Sequence, residues 1–280
     1  MKKFLLTIIG ILFLVFFFFF FGGKIFTEIS IESTISSLRD SLNLNHKEIF
    51  SHEKLNDQSQ LIQKYFSRVV GNRVEIPKFV KIKQKARFKT DVNSDWFPME
   101  AEQYFTTEEP NFLWNSELET SKYFWMNVID SYIRGKGNTL IKFNSSITIA
   151  DSWGIELDKS GLFRYISEAV YFPTKLVPAE NLIWNILDSN IAEIKFKDRD
   201  ISVVAKIFFN SDYTIERIET FDKYRALDDG FQKSRYTVYF SQYKLVNNSF
   251  LVPTYMEVEW DLASGPFKYG KFNVLDIDYE

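Results

Sequence analysis

Arg164 and Glu168 stand four residues apart, so on a helix they face the same side, one turn from each other. Two readings are open for such a pair. It grips the polar head of a ligand at the mouth of a cavity, or it is an intrahelical ion pair that fixes the helix against its neighbours. Asp151 and Glu156 flank Trp153-Gly154. Paired carboxylates run general acid–base chemistry when burial lifts one of them. An acid-rich turn is ordinarily solvated, however, and Asp151 there also suits a turn or cap. His46 and His52 are six apart and so do not share a helix face, with no carboxylate cluster around them. No metal ligands are expected. The chain has no cysteine and no Gly-x-Ser-x-Gly elbow. Gly135-Lys136-Gly137-Asn138 lacks the strand–loop–helix context of a phosphate loop and reads as a hairpin turn. The expected catalytic set is therefore empty, and no cofactor is implied.

A second pattern is charged. Within KFVKIKQKARFK (residues 78–89), Lys81, Lys83, Lys85, Arg87 and Lys89 alternate with Val80, Ile82, Ala86 and Phe88. This is a strand with one cationic face. Its partners could be the acidic faces of Glu257, Glu259 and Asp261 or of Asp276, Asp278 and Glu280. Alternatively its lysines protect a sheet edge, or rest on anionic lipid. Nucleic acid is set aside, because the chain carries 37 acidic against 34 basic residues.

The elements that must position these groups begin with Met1-Lys2-Lys3 and an apolar run from Phe4 to Phe21, broken only by Thr7 and Gly10. At about 1.5 Å per residue it just spans a bilayer core of roughly 30 Å. It is longer than the roughly 7–15 residues of a signal-peptide core, and Phe20 or Phe21 would stand where cleavage wants a small residue. We therefore expect an uncleaved anchor. The lysines favour an N-terminus inside the cytoplasm, with the domain in the periplasm or outside a bacterial cell. The expected divisions are 1–23 anchor, 24–56 polar tether and 57–280 folded domain.

Leu61, Ile62, Tyr65, Phe66 and Val69 trace a helical stripe that Gly71 would stop. Leu162, Tyr165, Ile166, Ala169 and Val170 trace another, with Asp158 or Ser160 as cap and Pro173 as stop. Elsewhere the period is two, in ten or eleven runs separated by turn residues. Two helices of about 10 Å diameter cannot cover a sheet on the order of 50 Å wide. The expected fold is mainly β with few helices: a curled antiparallel meander, half-barrel or barrel, with one or two helices against its concave side.

Several ordered segments also resemble a bacterial family known only as a domain of unknown function. They are Trp96-Phe97-Pro98-Met99-Glu100-Ala101-Glu102-Gln103-Tyr104-Phe105, Pro110-Asn111-Phe112-Leu113-Trp114, Ala150 to Glu156, and Gly161 to Thr174 with Arg164-Tyr165 and Glu168-Ala169-Val170. Trp184, Trp260, Phe267 and Ile277-Asp278-Tyr279 fit as well. The resemblance implies no activity. At fold level the half-barrel with a plug helix is similar to the periplasmic lipoprotein-carrier superfamily, an analogy that does not dictate function. Arg164, Tyr165, Glu168, Glu156, Trp184 and Trp260 are the candidate ligand contacts. The leading reading is an envelope protein binding a lipid or other hydrophobic ligand in its concavity. A scaffold with a fully packed barrel is the alternative, and a carboxylate-dependent hydrolase is third.

Overall fold

A computed structural model describes residues 2–17, 22–227 and 230–280. Its helices are α1 (Lys2–Phe17), α2 (Gly23–Asp40), α3 (Gln60–Val69) and α4 (Ile155–Glu168). The first strands are β1 (Phe79–Phe88), β2 (Phe97–Thr106), β3 (Asn111–Ser121), β4 (Phe124–Ile133), β5 (Lys136–Phe143) and β6 (Ile147–Trp153). After α4 follow β7 (Leu182–Asp188), β8 (Ile191–Asp198), β9 (Ile201–Phe209) and β10 (Ile215–Thr220). A separate hairpin, β11 (Tyr224–Leu227) and β12 (Gly230–Lys233), precedes β13 (Tyr236–Val246), β14 (Phe250–Leu262) and β15 (Gly265–Tyr279).

Thirteen strands form one antiparallel sheet in the order β6-β5-β4-β3-β2-β1-β15-β14-β13-β10-β9-β8-β7. The sheet is curled and not closed. Its curvature can be read from one hydrogen bond. Tyr132 on β4 donates to Asp198 on β8 at 2.7 Å, although the two strands are nine places apart in the sheet. At about 4.8 Å per strand a flat sheet would hold them roughly 43 Å apart. The sheet therefore wraps, and α4 lies between its two ends, touching β4, β5 and β6 on one side and β9 on the other. Leu162, Phe163 and Ile166 of α4 are fully buried. At about 1.5–3 kcal/mol for each large apolar side chain, this burial far exceeds the few tenths of a kcal/mol of a helical ion pair. Burial is what holds the helix in the trough. α3 joins the same core through Leu61, Ile62, Tyr65, Phe66 and Val69.

Eleven expected strands fall two short of the thirteen in the main sheet, and the β11–β12 hairpin lies outside the expectation altogether. Phe97–Thr106 is β2, whose inward row Met99, Ala101, Gln103 and Phe105 is buried. Its acids and Pro98 disguise the alternation. Asn138–Ile149 is two strands rather than one, because Asn144 and Ser145 adopt left-handed φ values of 48° and 59° and turn the chain. The expected caps of α4 also differ. The helix starts behind Gly154, whose φ of 141° only glycine adopts freely. Asp158 is instead buried inside α4, accepting from the Gly137 amide at 2.7 Å and from Lys136 at 3.0 Å. Ser160 accepts from the Tyr224 amide at 2.9 Å. Both cap-type residues tie the helix to other elements. α3 ends at Val69, ahead of Gly71, with Ser59 as its N-cap.

The lysine strand is central, which removes the edge reading. β1 is flanked by β2 and β15. Lys81 and Lys83 pair with Glu102 at 3.2 and 4.0 Å, and Lys85 with Glu100 at 3.3 Å. On the other flank Lys81 lies opposite Asp278 and Lys83 opposite Asp276, the pairing expected of the C-terminal acids. β14 is not a neighbour of β1, so Glu257 pairs with Lys268 and Lys271 and Asp261 with Arg235.

Much of the stretch expected as a polar tether is α2, docked on the outer face of the sheet. Ile31 packs with Phe79, Tyr104, Leu113 and Ile129, and Thr27 donates to the Ser145 carbonyl at 2.8 Å. Those outward apolar residues interrupt otherwise charged faces and require a cover. At the N-terminus, the expected span from Phe4 to Phe21 runs beyond α1 into residues 18–21, outside the described residues. No helix among the described residues is long and apolar enough to cross a membrane.

Close contact between α4 and β5 depends on Gly137, where a Cβ would fall 2.1 Å from the Leu157 carbonyl oxygen. Gly137→Ala is expected to destabilise the fold by about 1–3 kcal/mol, the usual range for overpacking. Urea unfolding measures it, and a wild-type midpoint would show that α4 moves away freely.

Candidate functional site

Along β4 the inward row reads Met126, Val128, Asp130, Tyr132. Along β2 it reads Met99, Ala101, Gln103, Phe105. One polar residue in each apolar row faces α4, and there the two meet Arg164 and Glu168. Arg164 donates to Glu168 at 2.9 Å and to Asp130 at 2.8 Å. Gln103 donates to the second oxygen of Glu168, and Thr139 to the second oxygen of Asp130 at 2.7 Å. The guanidinium lies 4.5 Å from the Trp114 ring centroid and 5.3 Å from that of Phe112. Burial opposes the charge on Arg164, but Glu168 and Asp130 more than offset it and hold the group above its ordinary pKa. The structural reading of the Arg164–Glu168 pair holds, since the ion pair is formed, and the pair also lines a cavity.

That cavity, about 290 Å³, lies between α4, the concave sheet and β11. Its apolar wall includes Phe88, Trp114, Tyr236, Trp260, Tyr269 and Phe272. The hydroxyls of Tyr236 and Tyr269 are 3.0 Å apart. Burial raises both phenols, Tyr236 well above its usual range and Tyr269 to about 12, so both are neutral O–H groups at physiological pH. On the β11 side stand Lys223 and Arg225. The Lys223 ammonium is 5.0 Å from the Tyr236 ring centroid. Burial, then the nearby charge of Arg164, lowers its pKa to about 8.

Of the six candidate contacts, Arg164, Glu168 and Trp260 line this cavity. Tyr165 is fully buried behind it, its hydroxyl donating to the Thr106 carbonyl at 2.9 Å. Trp184 packs against Tyr65 and Phe209 and donates to the Leu176 carbonyl at 3.0 Å, in the region covered by α3. Glu156 sits in the first turn of α4 and does not line the cavity. Asp151 is exposed on β6, accepting from Asn138 and the Trp153 indole. His52 lies 3.1 Å from the Val70 carbonyl. Among the described residues no group of three or more His, Cys, Asp or Glu is placed to hold a metal ion.

Asp130, Gln103, Lys223 and Arg225 escaped the sequence reading. For the first two a signal existed, a polar residue on the apolar parity of a strand. For Lys223 and Arg225 none did, because a short hairpin outside the main sheet carries no long periodicity.

Among known proteins, residues 48–272 match a family model described as a family of unknown function (DUF6544). All the resembling segments from Trp96 to Phe267 fall inside that match. Curated proteins give no match. Among solved structures, an outer membrane lipoprotein-sorting protein domain, so described, from Vibrio parahaemolyticus aligns at 14% identity with a TM-score of 0.46. The alignment covers 79% of this chain and 91% of that one. A DUF1329 family protein from Desulfovibrio piger aligns at 10% identity with a TM-score of 0.42, over 73% of this chain and 86% of that one. At TM-scores below 0.5 neither likeness assigns a ligand or a partner.

The lowered pKa of Lys223 has a measurable consequence. Between about 8 and the free-lysine value of 10.5 the unfolded chain holds a proton that the folded one has released. Stability therefore rises with pH across that window, and the burial cost is present in full below it. The stability gap between wild type and Lys223→Met is expected to narrow as pH climbs through 8. Urea midpoints of both proteins check this, and parallel pH curves would show that Lys223 titrates normally.

Proposed function

Because the chain belongs to DUF6544, a family of unknown function, we propose a function from its own geometry: it binds a small hydrophobic ligand on the concave face of its curled sheet. One observation carries this reading. The trough between α4 and the sheet is not filled by its own aromatics and keeps a cavity of about 290 Å³. Ligand sites span roughly 300–1,000 Å³, so this one takes a single acyl chain or a compact apolar molecule, not a two-chain lipid. The ligand is held by the area it buries against aromatic walls. A scaffold with a solid interior would have no use for such a space. The hydrolase reading loses support because Asp130 and Glu168 are both tied to Arg164, while Asp151 and Glu156 stand outside the cavity.

In this proposal the run from Phe4 to Phe21 holds the domain at a bacterial cytoplasmic membrane, N-terminus inside, the domain in the periplasm or outside the cell. Two features support it. Phe4, Leu6, Phe13 and Leu14 of α1 are exposed rather than packed on the domain. The first turns of α2, which begins two residues after the run, also lie at the hairpin tips, Lys24 over the Trp125 ring and Thr27 bonded to the Ser145 carbonyl. Tyr123, Phe124, Ile147 and Ile149 are exposed there, side chains suited to a membrane interface.

Two experiments test the proposal. A diazirine-bearing decanol, photolysed with the full chain in lipid nanodiscs, is expected to label peptides of β14. Val258→Trp and Met256→Phe, which fill the cavity, should lose that label with melting midpoints held within about 4 °C. Labelling that persists in both variants would put the probe elsewhere and sink the cavity reading. For the anchor, the full chain is expected to stay in the membrane pellet through an alkaline carbonate wash. Leu6→Lys with Phe13→Lys, each costing roughly 2.5–3.5 kcal/mol near the bilayer centre, should release it. A doubly substituted chain that remains in the pellet would mean attachment by another route.

A further inference from the structure

Among the charged side chains that line the cavity, cations outnumber anions. Five charged side chains line it: Asp130, Arg164, Glu168, Lys223 and Arg225. Arg164 is engaged by both acids, and each acid accepts a second bond from Thr139 or Gln103. That network pairs its three charges among themselves and, among the described residues, leaves one buried atom without a partner, the acceptor Oε1 of Gln103. Lys223 and Arg225 are left over. Among the described residues neither has a hydrogen-bond or ion-pair acceptor, and the closest aromatic partner of the Lys223 ammonium is the Tyr236 ring at 5.0 Å. The tyrosine pair adds a third unmatched donor. When one of Tyr236 and Tyr269 donates to the other, one O–H remains without an acceptor. The lining thus carries a net charge of about +1 in a chain of net charge −3. Both cations are only half-buried, so an anion bound here exchanges with water as their acceptor.

Resting on the reading of this cavity as a ligand site, we propose that its ligand is a single-chain amphiphile with an anionic headgroup, bound by Lys223, Arg225 and the Tyr236–Tyr269 hydroxyl pair. The alkyl chain lies along Trp114, Trp260 and Phe272, and the headgroup reaches the β11 side. A carboxylate or a phosphate monoester supplies the missing acceptors. An alcohol supplies one weak acceptor, and a quaternary ammonium supplies none. Lys223 keeps most of its charge at neutral pH with a pKa near 8, and a bound anion raises that value again.

The test is a competition on the full chain in nanodiscs, with the diazirine-bearing decanol as the probe. Decanoate, decyl phosphate, decanol and decyltrimethylammonium are the competitors. Decanoate or decyl phosphate is expected to displace the probe at concentrations about tenfold or more below decanol, as a charge-assisted bond requires. Whichever anion is stronger identifies the headgroup. In Lys223→Gln/Arg225→Gln that advantage should shrink to about twofold or less, displacement by the anions falling far more than displacement by decanol. Bilayer partitioning is common to wild type and variant, so the change between them reports the site. Equal displacement by decanol and the anions in wild type, a preference for the cation, or an anion preference that survives the double variant would each overturn the inference. In those cases labelling by decanol would leave the cavity reading standing. Absence of any labelling in the cavity would remove both.

Discussion

The burial of α4 between the two ends of the sheet is the contact on which the remaining architecture depends. A thirteen-stranded sheet with one apolar face and few helices has no flat solution in water. It curls until strands nine places apart share a hydrogen bond between Tyr132 and Asp198, and α4 lies in the gap. Gly137 lets the helix backbone approach β5, Asp158 bonds back to the Gly137 amide, and Ser160 receives the Tyr224 amide. The helix therefore carries few conventional capping interactions and many tertiary ones. The space left over between α4, the concave sheet and β11 is the cavity.

Arg164 gives that space its polar side. A guanidinium enclosed by aromatic rings is expensive to bury. It persists because Asp130 and Glu168 neutralise it and Gln103 and Thr139 complete their coordination. The network stiffens α4 against β2 and β4, and its acids are spoken for. What remains available to a guest is an aromatic wall and unmatched donors from the β11 hairpin and the tyrosine pair. On the proposed reading, this separates the residues that set the cavity's shape from those that would meet a ligand.

Several features were legible from residue order because they are local. The helical stripes of α3 and α4, most strands, the turn residues and the family motifs all depend on spacing along the chain. The curl itself followed from comparing apolar strand area with helix area. Strand β2 was hidden by its acids, and those same acids, Glu100 and Glu102, are the partners of the lysine strand. Half of the lysine strand's partners are therefore hidden with β2, while the other half, Asp276 and Asp278, stand opposite it as their parity implies. α2 was read as a tether because only Thr27, Ile31 and Leu38 are buried on an otherwise polar helix. Such a sparse stripe acquires meaning only beside Phe79, Tyr104, Leu113 and Ile129.

The chain alone determined that this is a strand-rich body with an apolar run near its start, no thiol chemistry, and a helix carrying Arg164 and Glu168 on one side. Those properties follow from composition and periodicity, which are short-range. Tertiary structure decided which polar residues converge. Asp130 reaches Arg164 and Gln103 reaches Glu168 from separate strands, Lys223 arrives from just ahead of a hairpin outside the main sheet, and Trp184 departs to the region under α3. Convergence of that kind depends on strand order and on the radius of the curl, and neither is written in the spacing of any single segment.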